Sequence, residues 1–214
     1  MTILITGASR GIGEGLADHY RSAGHEVIGT SRSPLADVTL DVARPADHTA
    51  MANAVGDRAI DLLICNAGVY LDKGDRIEDG YGADLWASSF ATNVTGVFLT
   101  VQALLPHLRR ANTPKIAIIA SQMGSSERAP GGSYIYRASK AAAINLGRNL
   151  ATDLRGDGIA VGVYHPGWVQ TDMGGGSAEI TIDASVRGLA ARFEALSLES
   201  TGCFETWDGR AHPF

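Results

Sequence analysis

The sequence predicts an α/β fold: a single doubly wound domain with a parallel, roughly seven-stranded sheet flanked by helices. Three observations carry this. Short β-branched runs alternate with longer amphipathic segments along the whole chain. Most of the strand-like runs are apolar throughout, as strands covered on both faces are. The 214 residues, 45% of them hydrophobic, suit one core and leave little for a second. Strands alternating with helices of this length imply right-handed crossovers, hence a parallel sheet.

The expected strands are Thr2–Thr6, Glu26–Thr30, Val38–Leu40, Leu62–Asn66, Lys115–Ser121, Ile159–Tyr164 and Cys203–Trp207. The expected helices are Gly11–Ser22, Ala46–Val55, Leu85–Arg110, Tyr134–Leu154 and Ser185–Leu196. Residues 1–214 read as one domain without repeat or linker. The stretches Tyr70–Ala83 and Gly174–Thr181 are rich in Gly, charge or small polar residues. They read as loops beside a site rather than domain boundaries.

Composition excludes several function classes. The net charge is −5 and no Lys/Arg run appears, which argues against a nucleic-acid partner. The six histidines are scattered without metal-ligand spacing, so no metal is expected. Cys65 and Cys203 fall in apolar runs and read as buried reduced thiols. No apolar run approaches the ~20 residues needed to span a bilayer, and Thr2–Thr6 already reads as a strand rather than part of a signal peptide. The expected location is the cytoplasm.

The run Thr6-Gly7-Ala8-Ser9-Arg10-Gly11-Ile12-Gly13 follows a strand and opens a helix. Its G-x-x-x-G-x-G spacing is a variant of the dinucleotide fingerprint. Gly7 permits a tight turn of positive φ, Gly11 a close approach to a pyrophosphate, and Gly13 close packing of the helix on the sheet. The helix N-terminus then holds the anion, and Ser9, Arg10 and Ile12 lie in the same cradle. The competing reading is an ordinary glycine-rich turn.

An NAD site usually carries a carboxylate at the end of the second strand, to hold the adenosine 2′-hydroxyl. Here Thr30-Ser31-Arg32 stands there instead. Arg32 and Arg10 would converge on a 2′-phosphate, with Thr30 or Ser31 adding a hydroxyl. This predicts NADP(H); the alternative is two solvated surface arginines.

In order and spacing, the motifs Thr6–Gly13, Asp41-Val42, Asn66-Ala67-Gly68, Asn93, Ser121, Tyr136-x-x-x-Lys140 and Pro166-Gly167 with Thr171 resemble a classical short-chain dehydrogenase/reductase over nearly the whole chain. Within that family, His165–Met173 and the ending Phe204–Phe214 resemble the C-factor/sniffer-like carbonyl reductases. The resemblance implies that Asp41 meets the adenine amino group, with Val42 beside the ring. It implies that Asn66, Ala67 and Gly68 form a turn near the adenosine ribose, and that Thr171, with Pro166, Gly167 and Val169, holds the nicotinamide end.

Tyr136 and Lys140 are one helical turn apart and project from one face. A neighbouring ammonium is expected to lower the phenol from its usual value near ~10, so that Tyr136 exchanges a proton with a carbonyl or alcohol oxygen. Lys140 would also bond the nicotinamide ribose. The resemblance implies that Ser121 orients the substrate oxygen, and that Asn93 bends its helix and holds a water linking Lys140 to solvent. The spacing from Ser121 to Tyr136 is two residues longer than the commonest family pattern, which leaves Ser125 and Ser133 as substitutes. Trp168, Tyr134 and Met173 are candidate pocket walls, and His165 reads as structural. A short lid over about 174–196 would leave an open pocket for small carbonyls. Leu85–Arg110 and Tyr134–Leu154 resemble dimerising helices, so a homodimer or homotetramer is expected. The implied function is NADP(H)-dependent reduction of a small carbonyl. The alternatives are the oxidative direction with an alcohol, or an NADP-sensing protein of reduced activity on the same fold.

Overall fold

The computed structural model describes all residues, Met1–Phe214. The strands are β1 (Thr2–Thr6), β2 (Glu26–Ser31), β3 (Val38–Thr39), β4 (Leu62–Cys65), β5 (Lys115–Ile119), β6 (Ala160–His165) and β7 (Phe204–Thr206). They form one sheet in the order β3-β2-β1-β4-β5-β6-β7, every pair parallel. The helices are α1 (Gly11–Ser22), α2 (Pro45–Val55), α3 (Ala83–Phe90), α4 (Gly96–Leu108), α5 (Tyr134–Leu154) and α6 (Ile182–Ala195).

Side chains alternate across the strands and so build two separate cores. Leu4, Leu63, Ile116, Ile118, Val161 and Val163 pack toward Met51 and Val55 of α2, Val101 and Leu104 of α4, and Ile144 and Leu150 of α5. Ile3, Ile5, Leu62, Ile64 and Ile119 pack toward Leu16 of α1 and Val186, Leu189 and Phe193 of α6. This is the doubly wound fold the alternation predicts. The strand order reverses direction between β1 and β4, which opens a crevice at the carboxyl ends of those strands.

Four expectations are corrected. Leu85–Arg110 is not one α-helix: a π-helical turn, Ala91–Thr95, separates α3 from α4. Asn93 sits in that turn, with its side chain drawn to the backbone of Val69. The helical run Ala83–Leu108 is long and apolar enough, by length and composition alone, to cross a membrane. Its Val97, Val101, Leu104 and Leu108 are instead spent in the core. The segment 174–196 divides at Thr181, because α6 is packed against α1 and the sheet; only the part before Ile182 is loop. Cys65 is buried, and burial pushes its thiol up to about 12, whereas Cys203 is only partly covered.

Candidate active site

A cleft of about 580 Å3 opens along the carboxyl ends of the strands. On the β2–β3 side it is bounded by Ser31, Arg32, Leu40, Asp41 and Val42. Its floor is the glycine turn with Asn66, Ala67 and Gly68. On the β5–β6 side it meets Tyr136, Lys140, Pro166 and Thr171. Residues read from widely separated motifs therefore share one elongated crevice.

The turn after β1 has the geometry its glycines foretell. Gly7 has φ +70°, and a Cβ on Gly13 would lie 2.2 Å from the Gly7 carbonyl oxygen and 2.4 Å from Asn66 Nδ2. No side chain fits there. Asn66 Nδ2 donates to the carbonyls of Thr6 and Gly7, at 3.0 and 3.1 Å, and so ties β4 to the start of the turn. Arg10 enters α1 in extended conformation and no side chain caps the helix, so its first amides face the cleft, where Ser9, Gly11 and Ile12 also lie. A cradle without side-chain bulk, ending in a free helix N-terminus, fits a dinucleotide pyrophosphate.

The arginines do not converge as expected. Arg10 Nη1 reaches across the cleft mouth to Asp172 at 2.8 Å. Arg32 is exposed, lines the cleft and has no ion-pair partner. The nearby carboxylate, Asp37, is turned to the Gly29 amide and to Arg21. Ser31 lines the cleft, but Thr30 does not, and its hydroxyl is buried without a partner. Of the pair, Ser31 is thus the hydroxyl that faces the cleft. Asp41 lines the cleft while accepting from the Ala43 amide at 3.0 Å.

At the other end Tyr136 is the third residue of α5, and Lys140 lies one turn on; both are buried. Lys140 Nζ donates to the Ile119 carbonyl at 3.0 Å and lies 5.8 Å from the Tyr136 ring centroid. Burial pulls Lys140 down to about 8. Burial pushes the Tyr136 phenol up to about 12; a hydrogen bond with Ser121 opposes this, and Tyr70 and Asp72 add to it. This reverses the expected direction. In the protein alone, desolvation outweighs any help from the ammonium, and the phenol stays protonated.

Ser121 follows β5 and caps a 3-10 turn by accepting from the Met123 amide at 3.2 Å. The two substitutes are engaged elsewhere: Ser125 with the Phe214 carbonyl, Ser133 with the Tyr70 hydroxyl. Asn93 Oδ1 accepts from the Val69 amide, and Nδ2 donates to the Val69 carbonyl and Ser139 Oγ. Both of its amide hydrogens are thereby spent on positioning. A Cβ on Gly68 would lie 3.3 Å from both Asn93 Oδ1 and Lys140 Nζ, so the two groups flank one point.

Thr171 packs its methyl near Gly11 and accepts from the Gly174 amide, which lays the loop after β6 over the glycine turn. Gly167 and Val169 lie outside the cleft; Gly167 is closed off by Ile180 and Trp207, and Val169 is buried against Ile180. Met173 lines the cleft, whereas Trp168 bonds the Gly174 carbonyl and Tyr134 stands edge-on to Tyr81. His165 is buried and pushed down to about 4 mainly by desolvation, consistent with a neutral structural residue. The sequence reading missed Tyr70, stacked on Tyr136 with ring centroids 4.2 Å apart, and Asp72. Their only signal was an irregular charged loop beside the site.

The family model described as short chain dehydrogenase matches residues 1–180. The chain belongs to the short-chain dehydrogenase family. It is accordingly an oxidoreductase of the class that interconverts C=O and CH–OH groups. Its short-chain dehydrogenase relatives include C-signal of Myxococcus xanthus, 39% identical over 166 residues, which are 77% of this chain and 99% of the relative. They also include 1-hydroxy-2-glutathionyl-2-methyl-3-butene dehydrogenase of a Rhodococcus species, 30% identical over 97% of each chain. Among solved structures, an NADPH-bound carbonyl reductase from chicken fatty liver is 31% identical and superposes with a TM-score of 0.92, covering 100% of this chain and 98% of that one. Carbonyl reductase Sniffer of D. melanogaster superposes with the same TM-score at 26% identity, covering 100% and 99%.

Proposed function

We propose that this protein is an NADP(H)-dependent reductase of small aldehydes or ketones, with Tyr136 as the proton donor. The observation that carries the reading is a protonated, buried phenol at one end of a cleft whose other end offers an unpaired guanidinium, Arg32. The NADPH-bound carbonyl reductase of the same fold supports the choice of cofactor.

The dinucleotide, when bound, supplies the hydride. The chain's own residues do the rest. The amides at the start of α1 hold the pyrophosphate, and Arg32 with Ser31 grips the 2′-phosphate. Asp41 and Val42 flank the adenine, while Pro166 and Thr171 border the nicotinamide. Ser121 donates to the carbonyl oxygen and polarises it. Tyr136 delivers its proton to that oxygen, and Lys140 holds the ribose and, as an ammonium, steadies the phenolate left behind. Asn93 keeps Val69 and the end of β4 in register with this group. The loop Pro166–Thr181, which brings Gln170, Asp172 and Met173 to the cleft, acts as the lid.

NADPH consumption with a panel of small carbonyls tests the reading. Turnover is expected with at least one aldehyde or ketone, level below about pH 8 and declining above it. The sign follows from Lys140: its depressed value means the ammonium is lost as pH rises through about 8. No turnover with any carbonyl overturns the proposal. With its phenol raised to about 12, Tyr136 is protonated at neutral pH, the state from which carbonyl reduction starts.

The reading includes a cytoplasmic location, supported by two free thiols. It includes a homodimer or homotetramer through the face of α3, α4 and α5, supported by Trp86 and Phe98 exposed on the first two. Light scattering is expected to give two or four times 22.4 kDa; a monomer mass would reject it.

A further inference from the structure

Helix α5 begins without a cap of its own. Gly131, Gly132 and Ser133 all have positive φ, and Ser133, in the capping position with φ 47° and ψ 44°, gives no side-chain hydrogen bond to the helix. The first amides of a helix have no partner within it, and an unpaired buried amide is costly. Here the partner comes from 63 residues away. Asp72 Oδ2 accepts from the Ile135 amide at 2.9 Å, and Oδ1 accepts from the Tyr136 amide at 3.2 Å. Asp72 is fully buried, at 0% exposure. The side chain thus sits against these amides at the positive end of the helix dipole. Three further contacts fasten the same loop to the same turn. The Tyr70 hydroxyl meets Ser133 Oγ, the Tyr81 hydroxyl accepts from the Ser133 amide, and the Tyr70 ring stacks on Tyr136 at 21°.

We infer that Asp72 is a positioning residue for the proton transfer: it fixes the backbone of Tyr136 and sets the electrostatic field in which its phenol titrates. The inference rests on the reading of Tyr136 as the acid and deepens it. The groups that face the phenol are Tyr70 and Asp72 from the loop, Lys140 from the next turn of α5 and Ser121 from the end of β5. Of these, Asp72 carries the negative charge. Its removal makes the phenol easier to ionise.

The test is Asp72→Asn, which keeps the shape, removes the charge and leaves one acceptor oxygen for the two amides. The variant is expected to bind NADPH within about twofold of the unaltered protein and to lower kcat about tenfold, since a misplaced donor costs rate rather than affinity. For alcohol oxidation, which needs the ionised phenol, the acid limb of the pH profile is expected to move down by about one pH unit. A lower kcat with the limb unmoved would mean that Asp72 serves only structure, and unchanged kcat and limb would mean that it serves neither; either overturns the inference. A second measurement needs neither a variant nor activity. By amide hydrogen exchange in the unaltered protein, Ile135 and Tyr136 are expected to exchange at least about a hundredfold more slowly than Tyr134, the preceding residue, whose amide lacks such a carboxylate. Equal rates overturn the inference even if Asp72→Asn does not fold. Activity surviving in Tyr136→Phe would instead refute the functional reading, and leaves the exchange result independent of it.

Discussion

Replacing Tyr136 with Phe is expected to lower kcat for carbonyl reduction by about 10²–10⁴-fold, the usual worth of a positioned general acid. Only one oxygen is lost. The ring keeps its place over Tyr70 and its burial near the start of α5, so folding is expected to be preserved. NADPH affinity, measured by the change in nicotinamide fluorescence, is expected to stay within about twofold, because the cradle around Gly7–Gly13 is untouched. The phenol stands near 12, so at neutral pH it carries the proton that the product alcohol needs. A variant with near-native kcat would remove Tyr136 from the chemistry. A variant that lost activity only through NADPH binding would make it a cofactor ligand instead.

The second large effect concerns the choice of dinucleotide. Arg32→Ala is expected to weaken NADPH binding by about 10- to 100-fold, the worth of a charge-assisted hydrogen bond at about 1.5–3 kcal/mol. NADH binding should barely change, since it has no phosphate for the guanidinium to hold. Dissociation constants for both dinucleotides would check this, and an equal loss for the two would show that Arg32 contributes no selectivity. Arg10 offers a smaller effect. Its ion pair with Asp172 is exposed, with both side chains more than 70% accessible, and such pairs are worth about 1 kcal/mol or less. The arginine can therefore leave Asp172 at little cost when an anion enters.

Much of this was legible in the residues. Thr2–Thr6 and Gly11–Ser22 lie where the apolar run and the glycine spacing put them, and so does Tyr134–Leu154. Local pattern suffices there, because each element's buried face is written in its own periodicity. Short-range spacing also sets the glycine turn after β1 and puts Tyr136 and Lys140 on one face of α5. What stayed hidden depends on partners distant in sequence. Asp72 meets α5 across 63 residues, and Asp172 meets Arg10 across 162. The direction of the Tyr136 shift was also out of reach, since it follows from burial, and no spacing of Tyr and Lys reports how much solvent surrounds them. The break in Leu85–Arg110 was foreshadowed only by Asn93, an unfavourable helix residue.

That break has a geometric consequence. A straight α-helix keeps one angular phase along its length, so the stripe it buries points to a single neighbour. The wider turn at Ala91–Thr95 slips the phase between the two halves of the rod. The half before it lies against α5, while the half after it lies against β4 and α2. One helical rod thus serves two neighbours, α5 and the layer of β4 and α2, which an unbroken helical period would set in conflict.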